Sequence, residues 1–119
     1  MTTVLVVDDE FLVASVVTFA LEDMGFRVLH ASDGKKALEI LHCETPALVI
    51  SDYMMPVMNG VELARALKQN TKWSEVPIIL MSGGHVDQAK RSSDLFDVIL
   101  QKPFDIDTLT DTVAKFVNS

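Results

Sequence analysis

The chain has 119 residues, 49% of them apolar, and a formal net charge of −7. That length suits one domain with a core of its own, and the apolar fraction is too high for a disordered chain. The acidic balance argues against direct contact with nucleic acid, and no apolar stretch approaches the roughly 20 residues that a membrane span needs.

From the amino end, Thr3 to Val7 reads as a short, buried strand, apolar and β-branched. Met1 and Thr2 lead into it without a basic, apolar leader, so the expected location is cytoplasmic. Phe11 to Met24 carries apolar pairs at helical spacing, namely Leu12/Val13, Val16/Val17 and Ala20/Leu21, with Gly25 placed to end the helix. Phe11, Ala14 and Phe19 lie off that stripe. They are either well-covered core or a second apolar face for a kinase or for a dimer partner. Phe26 to His30 is the second strand, and Asp33-Gly34 opens a helix bearing Ala37, Leu38 and Leu41 that stops before Pro46. Ala47 to Ser51 is the third strand, followed by a helix from Gly60 to about residue 69 with Leu63, Ala66 and Leu67 inward. Trp73 reads as the anchor of a surface loop. Pro77 to Met81 is the fourth strand, a weak polar helix is expected around Val86 to Asp94, and Val98 to Gln101 is the fifth strand. Asp105 is a good cap for a last helix carrying Ile106, Leu109, Val113 and Phe116.

Strands that alternate with helices in this way imply a parallel sheet covered on both faces. Right-handed crossovers then bring all the strand C-termini to one edge, where such sheets bind ligands. Asp8, Asp9, Asp52, Ser82 and Lys102 all fall at or just after strand C-termini. Helix capping would explain one of the acids, but not three of them together with a lysine. Two carboxylates about 4 Å apart repel by roughly 4 kcal/mol at an effective dielectric near 20, so the cluster calls for a proton or a cation. An all-oxygen set with room for water suits Mg²⁺, and a carboxylate beside that ion can attack phosphorus to form an acyl phosphate. Lys102 is the second cation available to a transferring phosphoryl group.

Other chemistries find little support. Cys43 is the only cysteine, which excludes an internal disulfide and a cysteine-rich zinc site; it reads most simply as a small helix residue. His30, His42 and His85 lack ligand spacing. Neither a Gly-x-Gly-x-x-Gly nor a Gly-x-x-x-x-Gly-Lys-Ser/Thr motif is present, so no nucleotide cofactor is expected.

Over nearly its full length the sequence resembles the receiver domain of two-component response regulators. The match is carried by Val6-Val7-Asp8-Asp9, by Asp52-Tyr53-Met54-Met55-Pro56-Val57-Met58-Asn59-Gly60, by Met81-Ser82-Gly83 and by Lys102-Pro103-Phe104. It implies an α/β, flavodoxin-like, doubly wound sheet of five parallel strands in order 2-1-3-4-5 with five helices, which sets Asp9 and Asp52 on neighbouring strands. It implies Asp52 as phosphoacceptor, and Mg²⁺ bound directly by Asp9, Asp52 and the backbone carbonyl of Met54, with Asp8 acting through water. Ser82 would donate its hydroxyl to the phosphoryl group, Lys102 would pair with another of its oxygens, and the Lys102–Pro103 peptide would be cis. The implied partners are a sensor histidine kinase or histidine phosphotransfer protein as donor, and an unidentified downstream protein.

Three features depart from the family pattern. Ile99 stands where an aromatic residue is usual, Gly83-Gly84 follows Ser82, and residues 90–96 replace a run of small residues. The chain ends soon after the last helix, and no output domain is expected after it. It is therefore expected to act as a stand-alone regulator, a relay intermediate or a receiver from a larger protein. No turnover enzyme is expected: an aspartyl phosphohydrolase would show Asp-x-Asp after its first strand, where this chain has Asp8-Asp9-Glu10, and would need a cap for which there is no room. The alternative reading is a protein-binding module of the same fold that works without phosphorylation.

Overall fold

The computed structural model describes residues 2–83, 90, 91 and 93–117. Five strands, β1 (Thr3–Val7), β2 (Arg27–Ala31), β3 (Leu48–Asp52), β4 (Ile78–Ser82) and β5 (Val98–Gln101), form one sheet. All neighbours are parallel and the order is β2-β1-β3-β4-β5. Four α-helices are described: α1 (Phe11–Asp23), α2 (Gly34–Cys43), α3 (Gly60–Lys68) and α4 (Ile106–Val117). The helix expected over Val86 to Asp94 falls largely outside the described residues; Ser93–Leu95, at its end, form a single 3-10 turn.

The central strands are apolar on both faces because helices cover both. Leu5, Val7, Val49, Ile78 and Leu80 pack beneath α2 and α3 with Leu41, Leu63 and Leu67. The alternate residues Val4, Val6, Leu48, Ile50, Ile79 and Met81 pack beneath α1 and α4 with Val17, Leu21, Leu109 and Val113. A strand covered on two sides has no polar face to alternate, which is why these segments read as continuous apolar runs. Helix starts are fixed by side-chain caps. Asp33 Oδ1 accepts from the Lys36 amide (2.8 Å), Asn59 and Glu62 form a reciprocal capping box, and Asp105 Oδ1 accepts from the Thr108 amide (2.8 Å).

One expectation is corrected. In α1, the spacing turns Leu12 and Val16 inward, yet both are exposed; off the stripe, Ala14 is buried core, while Phe11 and Phe19 are exposed. Residues 11–14, 16 and 17 are all apolar, so spacing alone cannot orient that helix, and the sheet decides. Trp73, the expected anchor of its loop, is buried, and His42 meets its ring edge-on at a centroid distance of 5.0 Å.

Candidate functional site

Three strands run one residue further than the sequence pattern suggests, and this places the chemistry. Asp52 is the last residue of β3 and Ser82 the last of β4, while Asp8 and Lys102 directly follow β1 and β5. β1 and β3 are neighbours although helices intervene in the chain, so the acids meet where the strand order reverses. The edge is held by backbone bonds: the Asp8 amide donates to Ala31 O (3.0 Å), the Tyr53 amide to Met81 O (2.9 Å) and the Lys102 amide to Ser82 O (2.7 Å). The Lys102–Pro103 peptide is cis, as the resemblance implied.

Asp52 is 5% exposed, and its Oδ1 accepts from Lys102 Nζ at 3.0 Å. Burial raises the Asp52 pKa, and the bond and charge of Lys102 partly offset that rise. For Lys102, burial acts downward but is outweighed by the hydrogen bond to Asp52 and its charge, so the ammonium titrates above its ordinary value. Asp8 is wholly buried, and burial lifts its pKa to about 6. A hydrogen bond from the Glu10 amide to its Oδ1 (2.8 Å) opposes the rise, and the Asp52 charge adds to it. The carbonyl of Asp8 accepts from His30 Nε2 at 3.0 Å.

Two buried polar atoms of the site, Asp8 Oδ2 and Ser82 Oγ, have no hydrogen-bond partner among the described residues. A buried acceptor or donor left unpaired costs about 1–3 kcal/mol, so both are suited to a group that enters the site. The carboxylates of Asp8, Glu10 and Asp52 lie within 4.8 Å of one another and form a group that could hold a metal ion. Its oxygen-only donors match Mg²⁺, and the bare Asp8 Oδ2 is an acceptor ready for a cation.

Of the residues singled out in the sequence, Asp8, Asp52 and Lys102 are brought together, and the Ser82 backbone is bonded to that of Lys102. Asp9 is exposed and lies outside the converging group; Met54 is also exposed. Glu10 was not anticipated. The available signal was the two-residue spacing from Asp8, which in extended backbone returns a side chain to the same side. Behind Asp52, the Gly60 amide donates to Tyr53 O (2.8 Å), and a Cβ on Gly60 would lie 2.5 Å from Asp52 O. Only glycine lets α3 start so close to the Asp52 backbone. Val57, in the loop between them, has φ of 71°, a conformation unfavourable for a β-branched residue.

A doubly wound parallel sheet with an acidic pocket at its switch point is the architecture of a receiver domain. The response regulator receiver domain family matches over residues 4–114, and the chain belongs to that family. The two-component response regulator ORR5 of rice (Oryza sativa subsp. japonica) is 38% identical over 84 residues, 70% of this chain and 63% of that protein. The sporulation initiation phosphotransferase F of Bacillus subtilis (strain 168) is 31% identical over 115 residues, 96% of this chain and 92% of that one. The solved structure of the chemotaxis response regulator CheY4 of Vibrio cholerae superposes with a TM-score of 0.90 at 30% identity, covering 98% of this chain and 99% of that one. The chain thus spans slightly under two thirds of the rice relative's length.

Proposed function

We propose that the chain is a phosphoacceptor receiver of a two-component relay: Asp52 takes a phosphoryl group from a histidine kinase or histidine phosphotransfer protein in the cytoplasm, and the change of charge alters a protein-binding surface. The observation that carries this reading is the Asp52 carboxylate, held 3.0 Å from Lys102 Nζ inside the acidic group. Asp8 and Asp52 would hold Mg²⁺, with Asp9 and the carbonyl of Met54 completing the set that the family resemblance implies. The ion, when bound, would offset the crowded carboxylates and the charge of the incoming phosphoryl group.

An Asp52 carboxylate oxygen attacks phosphorus of the phosphohistidine. The new P–O bond forms as the P–N bond breaks, and the electron pair stays on the imidazole nitrogen, which takes a proton from water. Lys102 then exchanges its bond to Asp52 for one to a phosphoryl oxygen, and the Ser82 hydroxyl gains the acceptor it lacks. The modification adds roughly −1.5 to −2 charges, drawing both groups and their strand ends toward Asp52 and shifting a pre-existing equilibrium. Ile99 packs against the core on the α2–α3 side and has no ring to flip, so the signal leaves through backbone and helix movement. The chain modifies itself and is not a turnover enzyme.

Intact-mass measurement after incubation with acetyl phosphate and Mg²⁺ tests this. One added phosphoryl group is expected, absent with EDTA and absent in Asp52→Asn. No mass gain in the wild type, or an equal gain in Asp52→Asn, would refute the assignment.

A further inference from the structure

Glu10 is the member of the acidic group to which this reading gives no role. It precedes α1, where a side-chain oxygen ordinarily caps the helix. Glu10 makes no such bond; its backbone is extended, with φ of −89° and ψ of 104°. Its amide is taken by Asp8 Oδ1 (2.8 Å), while its carboxylate stands within 4.8 Å of those of Asp8 and Asp52. Carboxylates this close repel one another, and Lys102, bonded to Asp52, offsets that repulsion only in part. A second observation points the same way: Asp8, itself a member of the group, is wholly buried, and its Oδ2 has no partner among the described residues. Three carboxylates, one of them with a bare buried oxygen, are more negative charge than Lys102, already bonded to Asp52, can satisfy.

Resting on the cation site described above, we propose that Glu10 is a specificity-determining residue of that site, a further carboxylate facing the ion that raises its affinity for Ca²⁺ relative to Mg²⁺. Mg²⁺ dehydrates reluctantly and is usually held by one or two carboxylates with several waters kept, whereas Ca²⁺ takes about six to eight oxygens in flexible geometry. An additional protein oxygen at the mouth of the site therefore favours the larger ion more than the smaller.

The test is calorimetric titration of Mg²⁺, and separately of Ca²⁺, into the full chain without any phosphodonor. Wild type, Glu10→Gln and the charge-matched control Glu75→Gln, at the opposite edge of the sheet before β4, are compared. In Glu10→Gln the Ca²⁺ dissociation constant is expected to rise about tenfold, the scale seen when a supporting group of a metal site is lost, and the Mg²⁺ constant about twofold. The control should leave both unchanged. A Ca²⁺/Mg²⁺ affinity ratio within about twofold of wild type overturns the inference, including the case where both ions weaken together, since distortion of the site does that. Glu10→Ala, which suits a helix start already uncapped, is the second variant should Glu10→Gln fold poorly. If the wild type binds neither ion, the phosphoacceptor reading falls with this one; if it binds them and loses them in Asp52→Asn, only the role of Glu10 is at stake.

Discussion

Replacing Asp8 by Asn should stabilise the metal-free protein at neutral pH. The wild-type carboxylate is wholly buried and its pKa is raised from 3.8 to about 6. A rise of that size corresponds to about 3 kcal/mol, and solvent screening around the exposed neighbours Asp9 and Glu10 reduces this to about 2 kcal/mol. Because the folded-state value is the higher one, the folded chain holds a proton that the unfolded chain has released. The penalty is therefore absent below about pH 4, grows between about pH 4 and pH 6, and is complete above that. Asn keeps an oxygen for the Glu10 amide and, having no charge, avoids the penalty. Urea unfolding followed by far-UV circular dichroism is the assay, with equal m-values confirming that only stability has changed. Asp8→Asn should exceed wild type by about 2 kcal/mol near pH 7.5 and match it near pH 4. Millimolar Mg²⁺ should narrow the neutral-pH gap by binding the wild type more tightly. A variant no more stable than wild type at neutral pH, or a gap that persists unchanged into acid, would refute the assignment of the buried charge.

Two further substitutions probe the remaining parts of the site. Lys102→Ala leaves Asp52 buried without its ion-pair partner and should cost about 1–3 kcal/mol of metal-free stability near neutral pH, measured by urea unfolding, while Mg²⁺ affinity is retained or rises. Gly60→Ala sets a methyl group 2.5 Å from Asp52 O and 2.8 Å from Leu80 Cδ1. Overpacking of that kind costs about 1–3 kcal/mol, and since the backbone contact is to the acceptor itself, the acetyl phosphate reaction followed by intact mass should slow in the folded fraction.

The sheet was legible because its strands are enclosed. Val4 to Val7 and Leu48 to Ile50 are buried on both faces, so their apolar runs show in the sequence without any knowledge of their neighbours. Two helices were legible at their starts, where Asp33 and Asp105 cap them through bonds only three residues long. The orientation of α1 was not, since its inward face is selected by contacts with Val4, Val6 and Leu109, far away in sequence. The same distinction separates the residues of the site. Asp8, Asp52, Ser82 and Lys102 are each announced by a strand that ends beside them. Glu10 is announced only by its two-residue spacing from Asp8: it opens α1 without capping it, and the spatial approach of Asp52 gives its carboxylate a meaning.

That arrangement makes the metal-free site a strained one by design of its parts. Burial holds Asp8 partly protonated near pH 6, Lys102 is committed to Asp52, and Asp8 Oδ2 and Ser82 Oγ have no partners among the described residues. Under the proposed function, each of these would be resolved by a positive ion followed by a phosphoryl group, and by neither alone: the ion would answer the carboxylates but leave Ser82 without an acceptor, while the phosphoryl group would supply that acceptor but add charge to an acidic pocket. On that reading, the stability that the buried charge costs the metal-free protein would reappear as affinity for the two in combination.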